Sequence, residues 1–134
     1  MELKDLVGMH ELSGVDRLSD VEVPDGYGGT DIAEVLRFTL DGVTYAASEN
    51  SDDGYRSMMR DLSVSTEPTA NQFPAVQVFA TIRDRWGYSD TSEILELLTM
   101  EGKRVLAVGT ANIDDYYPYF VAEFDAEALG KVVE

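Results

Sequence analysis

The chain has 134 residues, 44% hydrophobic and 10% aromatic, enough for one domain, residues 1–134, with a core that needs no disulfide or metal to fold. Acids outnumber bases 26 to 10, a net charge of −16. That excludes a general nucleic-acid binder, because phosphate contact needs a basic footprint, and it argues against an anionic membrane surface.

Cysteine is absent and His10 is the single histidine. Thiolate catalysis, iron–sulfur clusters and cysteine zinc sites are excluded, and a triad or a two-histidine metal site would have to rest on one ring. The opening Met1-Glu2-Leu3-Lys4-Asp5-Leu6-Val7 has neither a basic n-region nor a long apolar stretch, so no signal peptide is expected. No apolar run reaches the ~18 residues of a membrane span. A cysteine-free chain fits a reducing compartment, and the expected location is cytoplasmic.

Gly and Asp punctuate the chain at short intervals, and the runs between them alternate, the pattern of short strands. Met9 to Val15 reads as a strand interrupted by Gly14. Leu6-Val7-Gly8 ahead of that strand resembles the opening of lipocalin-like barrels, in which a Trp follows the Gly by two positions; His10 stands there instead. The resemblance implies a ligand-holding barrel as an alternative fold and function. His10 and Glu11 are a candidate acid–base pair, but neighbours on a strand point to opposite faces, so His10 is expected at the surface or core edge. Gly26, Gly28 and Gly29 suggest a phosphate loop, yet the Lys-Ser/Thr of a P-loop is missing and Asp25 and Asp31 would repel phosphate.

The clearest element is Glu34-Val35-Leu36-Arg37-Phe38-Thr39-Leu40, then Asp41-Gly42, then Val43-Thr44-Tyr45-Ala46-Ala47. Asp-Gly between alternating runs predicts a two-residue type I′ hairpin. Leu36, Phe38, Leu40, Val43, Tyr45 and Ala47 then share a buried face, with Arg37, Thr39 and Thr44 on the other. Phe73 to Ile82 is a further strand, with Val76, Val78, Ala80 and Ile82 on one side; Pro74 confines it to an edge or marks its beginning. Arg83-Asp84-Arg85-Trp86-Gly87-Tyr88 is the one basic–aromatic stretch, and Trp86 is a candidate contact for a partner. The plainer reading is a hairpin connection whose arginines pair with nearby acids.

Asp90-Thr91-Ser92-Glu93 could open a capped helix that Gly102 ends. A hairpin turning at Glu101-Gly102 is preferred because of a repeat. Tyr117 to Phe124 alternates as a strand, with Phe120, Ala122 and Phe124 on one side, and Asp125 caps a short helix that Gly130 ends.

The repeat compares Glu34-Val35-Leu36…Asp41-Gly42 with Glu93-Ile94-Leu95…Glu101-Gly102. After each returning strand comes Asn-x-Asp-Asp-x-Tyr: Asn50, Asp52, Asp53 and Tyr55, then Asn112, Asp114, Asp115 and Tyr117. The turns lie 60 positions apart and the loops 62, so the second returning arm is expected to be two residues longer. Asn and Asp end strands through Asx-turns, the local explanation of these loops; the functional one is a pair of matched recognition loops. A calcium loop starting at Glu49 places Ser51, Asp53 and Gly54 correctly, but puts Arg60 where a bidentate Glu belongs. No metal and no cofactor are expected.

The composition and spacing predict a mainly β (β-rich α+β) domain, an antiparallel sandwich or partly open barrel with a duplicated hairpin and a short C-terminal helix. The expected function is non-enzymatic recognition of a basic protein partner, in one form an inhibitor that mimics nucleic-acid charge, since an acidic field speeds association with bases. The expected binding residues are Asn50, Asp52, Asp53, Tyr55, Trp86, Asn112, Asp114, Asp115 and Tyr117, with no direct nucleic-acid or membrane contact. A homo-oligomer is compatible with this. The alternatives are a small-molecule-binding β-barrel and a hydrolase that uses carboxylates alone.

Overall fold

Alternation at period two carries this chain into antiparallel strands. The computed structural model describes residues 1–24, 28–50, 58–83, 93–111 and 119–132. Within them lie β1 (Gly8–Pro24), β2 (Thr30–Leu40), β3 (Val43–Asn50), β4 (Met58–Val64), β5 (Gln72–Arg83), β6 (Glu93–Thr99), β7 (Arg104–Ala111) and β8 (Tyr119–Phe124). A 3-10 turn, Leu3–Leu6, precedes them, and another, Ala126–Val132, follows.

The strands form one sheet in the order β4-β3-β2-β1-β5-β6-β7-β8. This is two four-stranded meanders joined back to back through β1 and β5. β1 serves both: it pairs with β2 from Leu12 onward and with β5 from Gly8 to Gly14, and both ladders shift register between Leu12 and Gly14. The sheet curls until β4 packs against β7 and β8. Among the described residues no ladder joins the two edges, so the result is a partly open, mainly β barrel. The lipocalin-like expectation fails on topology. Those are closed up-and-down barrels, whereas here β1 lies beside β5.

The first hairpin forms as its turn residues require. Asp41 and Gly42 both have positive φ, 53° and 82°, the type I′ requirement. Leu40 then faces Val43, and Phe38 faces Tyr45, with ring centroids 5.9 Å apart. Leu36, Phe38, Leu40 and Ala47 are buried as expected, and Tyr45 packs partly buried against them. Val43 departs from the expectation: the core ends at Leu40, and Val43, just past the turn, stays 39% exposed. A Cβ on Gly42 would meet nothing within 4 Å, so the cost of substitution there is conformational alone. Gly42→Val should destabilise the fold by more than ~1 kcal/mol, read as a lowered urea midpoint.

Residues 93–110 are a hairpin, not a helix. Its inward residues Leu95, Leu97, Leu106 and Val108 are fully buried. The two arms of the expected repeat both form hairpins: Leu36 opposite Ala47 and Phe38 opposite Tyr45 correspond to Leu95 opposite Val108 and Leu97 opposite Leu106, while the repeated loops lie outside the described residues. Between the matched pairs the first copy has residues 39–44 and the second 98–105. The two extra residues therefore sit in the turn and at the bulge beside Val105, not farther along the returning arm.

β5 is central in the sheet. Its Pro74 is tolerated because it lies near the strand's start, inside the irregular stretch of the β1 ladder and before β6 joins at Val78. β1 runs well beyond Val15. The N-terminal 3-10 turn, not anticipated, packs on β5 and β6 with Leu3 and Leu6 at 1% and 3% exposure in the main core. The tail is 3-10, not α. Asp125 Oδ1 accepts the Glu127 N–H at 3.0 Å, Leu129 is buried, and Gly130 (φ 65°) breaks the turn. No helix among the described residues is long and apolar enough to cross a membrane.

Candidate functional site

Of the nine expected binding residues, Asn50 is described: it ends β3, half-buried, opposite Met58. Asp52, Asp53, Tyr55, Trp86, Asn112, Asp114, Asp115 and Tyr117 lie outside the described residues. The strand ends that carry the repeated loops are described. The first loop leaves β3 at Asn50 and returns at Met58; the second leaves β7 at Ala111 and returns at Tyr119. These stems meet. The Met59 N–H donates to Thr110 Oγ1 at 2.8 Å, across the seam where the sheet edges approach. Thr110 faces Phe120 on β8, and Phe120 and Met59 both pack into the main core. Stems 51 residues apart in the chain are thus fixed to one another.

On the outer face of β5–β8 is a shallow hollow of about 210 Å³, with Ile94, Ala107, Ala111 and Val121 as its apolar lining. At its polar end, Glu96, 8% exposed, accepts from Arg83 at 2.7 Å and Arg104 at 3.3 Å, and Arg104 also reaches Glu123 at 3.1 Å. Arg83 thus pairs with a nearby acid, as its plainer reading expects. Hydrolysis by carboxylates needs one acid to give a proton and another to act as base or nucleophile. Here both acids are held by the same guanidinium. Among the described residues, Leu12, Leu36, Phe38, Leu62, Leu95 and Leu97 fill the interior at no more than 1% exposure.

His10 does not pair with the Glu11 side chain. Its Nδ1 lies 2.6 Å from Asp41 Oδ2 and its Nε2 2.6 Å from the Leu6 carbonyl oxygen, at the edge of the core. The Glu11 backbone N–H donates to Asp41 Oδ1 at 2.9 Å. The His10 ring, and then this N–H, hold the Asp41 carboxyl below the usual carboxylate range.

Asp16 is a group the sequence did not single out. It is 2% exposed and accepts from Arg37 at 2.8 Å, from the Asn71 N–H at 3.0 Å, from Asn71 Nδ2 at 2.8 Å and from the Ala70 N–H. These bonds fasten the crossover 65–71, which links the two meanders, across β1 and β2. Gly14 lets the crossover approach, because a side chain there would collide with Thr69 and the Asn71 backbone. Thr39 bonds both Thr44 and Thr69 beside it. Asp16 is one acid among 26; its place opposite Arg37 emerges only from the β1–β2 register.

Among the described residues no three His, Asp or Glu side chains gather as a metal site. The chain matches no protein-family model, no curated protein and no solved structure.

Proposed function

We propose that this protein is a non-enzymatic acidic recognition module that binds a basic protein surface through its two Asn-x-Asp-Asp-x-Tyr loops. The observation that carries this reading is the hydrogen bond from Met59 to Thr110. It ties the strand to which the first loop returns to the strand from which the second departs, which supports a shared region of the barrel for the two acidic motifs. With a net charge of −16, such a region attracts cationic partners at long range and disfavours anionic ones. One concrete form is an inhibitor whose carboxylates stand where nucleic-acid phosphates would. The cysteine-free composition supports a reducing cytoplasm as its setting.

The test is the quadruple variant Asp52→Asn, Asp53→Asn, Asp114→Asn and Asp115→Asn, compared with wild type against a basic protein captured from the source organism. Binding should weaken, and its salt dependence should flatten, because each removed charge reduces steering. The urea midpoint should hold, since carboxylates that serve a partner rather than the fold contribute little to stability. Loss of stability with unchanged binding would assign these aspartates to local turn chemistry instead.

A further inference from the structure

We propose that His10 is a proton-operated latch that holds the N-terminal 3-10 turn on the barrel. Both ring nitrogens lie 2.6 Å from an oxygen. The Leu6 carbonyl can only accept, and so can the ionised Asp41 carboxylate. Only the doubly protonated ring donates from both nitrogens. The His10 side chain is 17% exposed and its contact with the Leu6 carbonyl is partly buried, so water is poorly placed to substitute there; Asp41 itself is 54% exposed.

The ring's surroundings are simple. Asp41 reaches it from the β2–β3 turn, Leu6 from the 3-10 turn, and Val78 stands opposite on β5. The Glu11 side chain leaves the strand on the other face. Lys4 is 2.9 Å from Glu2, and Asp5 accepts the Glu2 N–H. Asp41 is therefore the charged group bonded to the ring among the described residues, and its depressed carboxyl keeps it ionised.

Loss of one proton leaves a single N–H. The bond to Asp41 is charge-assisted and the stronger of the two, so the remaining proton faces Asp41 and the Nε2 lone pair confronts the Leu6 carbonyl. The tie to the 3-10 turn then opens. That turn seats Leu3 and Leu6 in the core, and its other anchor is the N-terminal ammonium, which donates to the Leu62 carbonyl at 3.2 Å.

The direction of the pH effect follows. The tie belongs to the doubly protonated ring, which alone donates from both nitrogens, so it is present on the acid side and lost once the ring gives up a proton. Asp41 sets the opposite limit. Its carboxyl is lowered in the fold, so its contribution is complete above the unfolded value and lost as pH falls through the folded one.

The experiment compares wild type with His10→Gln at pH 5 and pH 9, reading the urea midpoint and the exchange protection of the Val7 amide, which donates to the Lys4 carbonyl in the 3-10 turn. Between the two pH values the wild-type midpoint should fall and Val7 protection should drop roughly tenfold, the equivalent of one hydrogen bond to a charged group. H10Q should lack that component. Every other group is the same in both proteins, so their difference isolates the ring. Nitrogen-15 spectra of the single imidazole supply a second reading on wild type alone, should H10Q fail to fold: both nitrogens should carry hydrogen whenever Val7 is protected. An identical pH response in H10Q, or an unprotonated ring nitrogen beside a fully protected Val7, overturns the latch.

Discussion

Replacing Asp16 with alanine is expected to cost about 3–5 kcal/mol, the penalty for removing one member of a buried ion pair and stranding the other. Arg37 is the stranded group. Its side chain is 12% exposed, and among the described residues its Nε already lacks a hydrogen-bond partner. Its remaining ion pair, with Glu67 at 3.4 Å, reaches an exposed side chain and is a weak substitute. The substitution also takes the acceptor from the Ala70 and Asn71 N–H groups, so the crossover loses its fastening together with the charge. Urea denaturation measures the loss. The double variant Asp16→Ala/Arg37→Ala should recover part of it, because removing both charges leaves none unpaired. A wild-type midpoint for Asp16→Ala would mean that the crossover is held by other contacts.

Phe38→Ala should cost about 3–5 kcal/mol, the range for deleting a fully buried aromatic side chain. Phe38 is 0% exposed and lies between Val15 on β1 and Tyr45 on β3. Its removal opens a cavity at the centre of the first meander, and the Tyr45 ring loses its neighbour at 5.9 Å. Phe38→Leu fills more of the space and should cost distinctly less. Equal midpoints for the two variants would place Phe38 outside the packed core and so contradict the β2–β3 register.

Both hairpins could be read from the sequence because their information is local. Asp41-Gly42 supplies the positive φ values that the turn needs, and period-two alternation then decides which side chains turn inward. The Glu-(β-branched)-Leu repeat settled residues 93–110, where helix capping and strand alternation competed. The second half of β1 was not legible: Asp16, Arg17, Ser19, Asp20 and Glu22 dilute the alternation, and that segment is a strand because β2 lies beside it. Leu3 and Leu6 gave no helical signal in so short a turn; their burial is a tertiary event. The same holds for the candidate site. Asp52, Asp53, Asp114 and Asp115 could be picked out as a repeated motif, but the joining of the loop stems depends on the curl of the whole sheet, which brings Met59 to Thr110. No spacing within the chain encodes that contact.

The strand order carries a consequence for how the chain reaches this state. Every ladder except one joins strands that are consecutive in sequence. The exception, β1 with β5, sets Leu12 opposite Val76 and must close a loop of roughly sixty residues before any of its bonds can form. Each meander can zip up from its own tight turn on the timescale of hairpin formation, whereas the pairing that unites them carries the largest loop-closure cost of any single ladder. The bottleneck therefore belongs to the first seven residues of β1, Gly8 to Gly14. Until they dock, β5 has one long unpaired edge, and the surplus of negative charge on the chain is what discourages that edge from finding another molecule first.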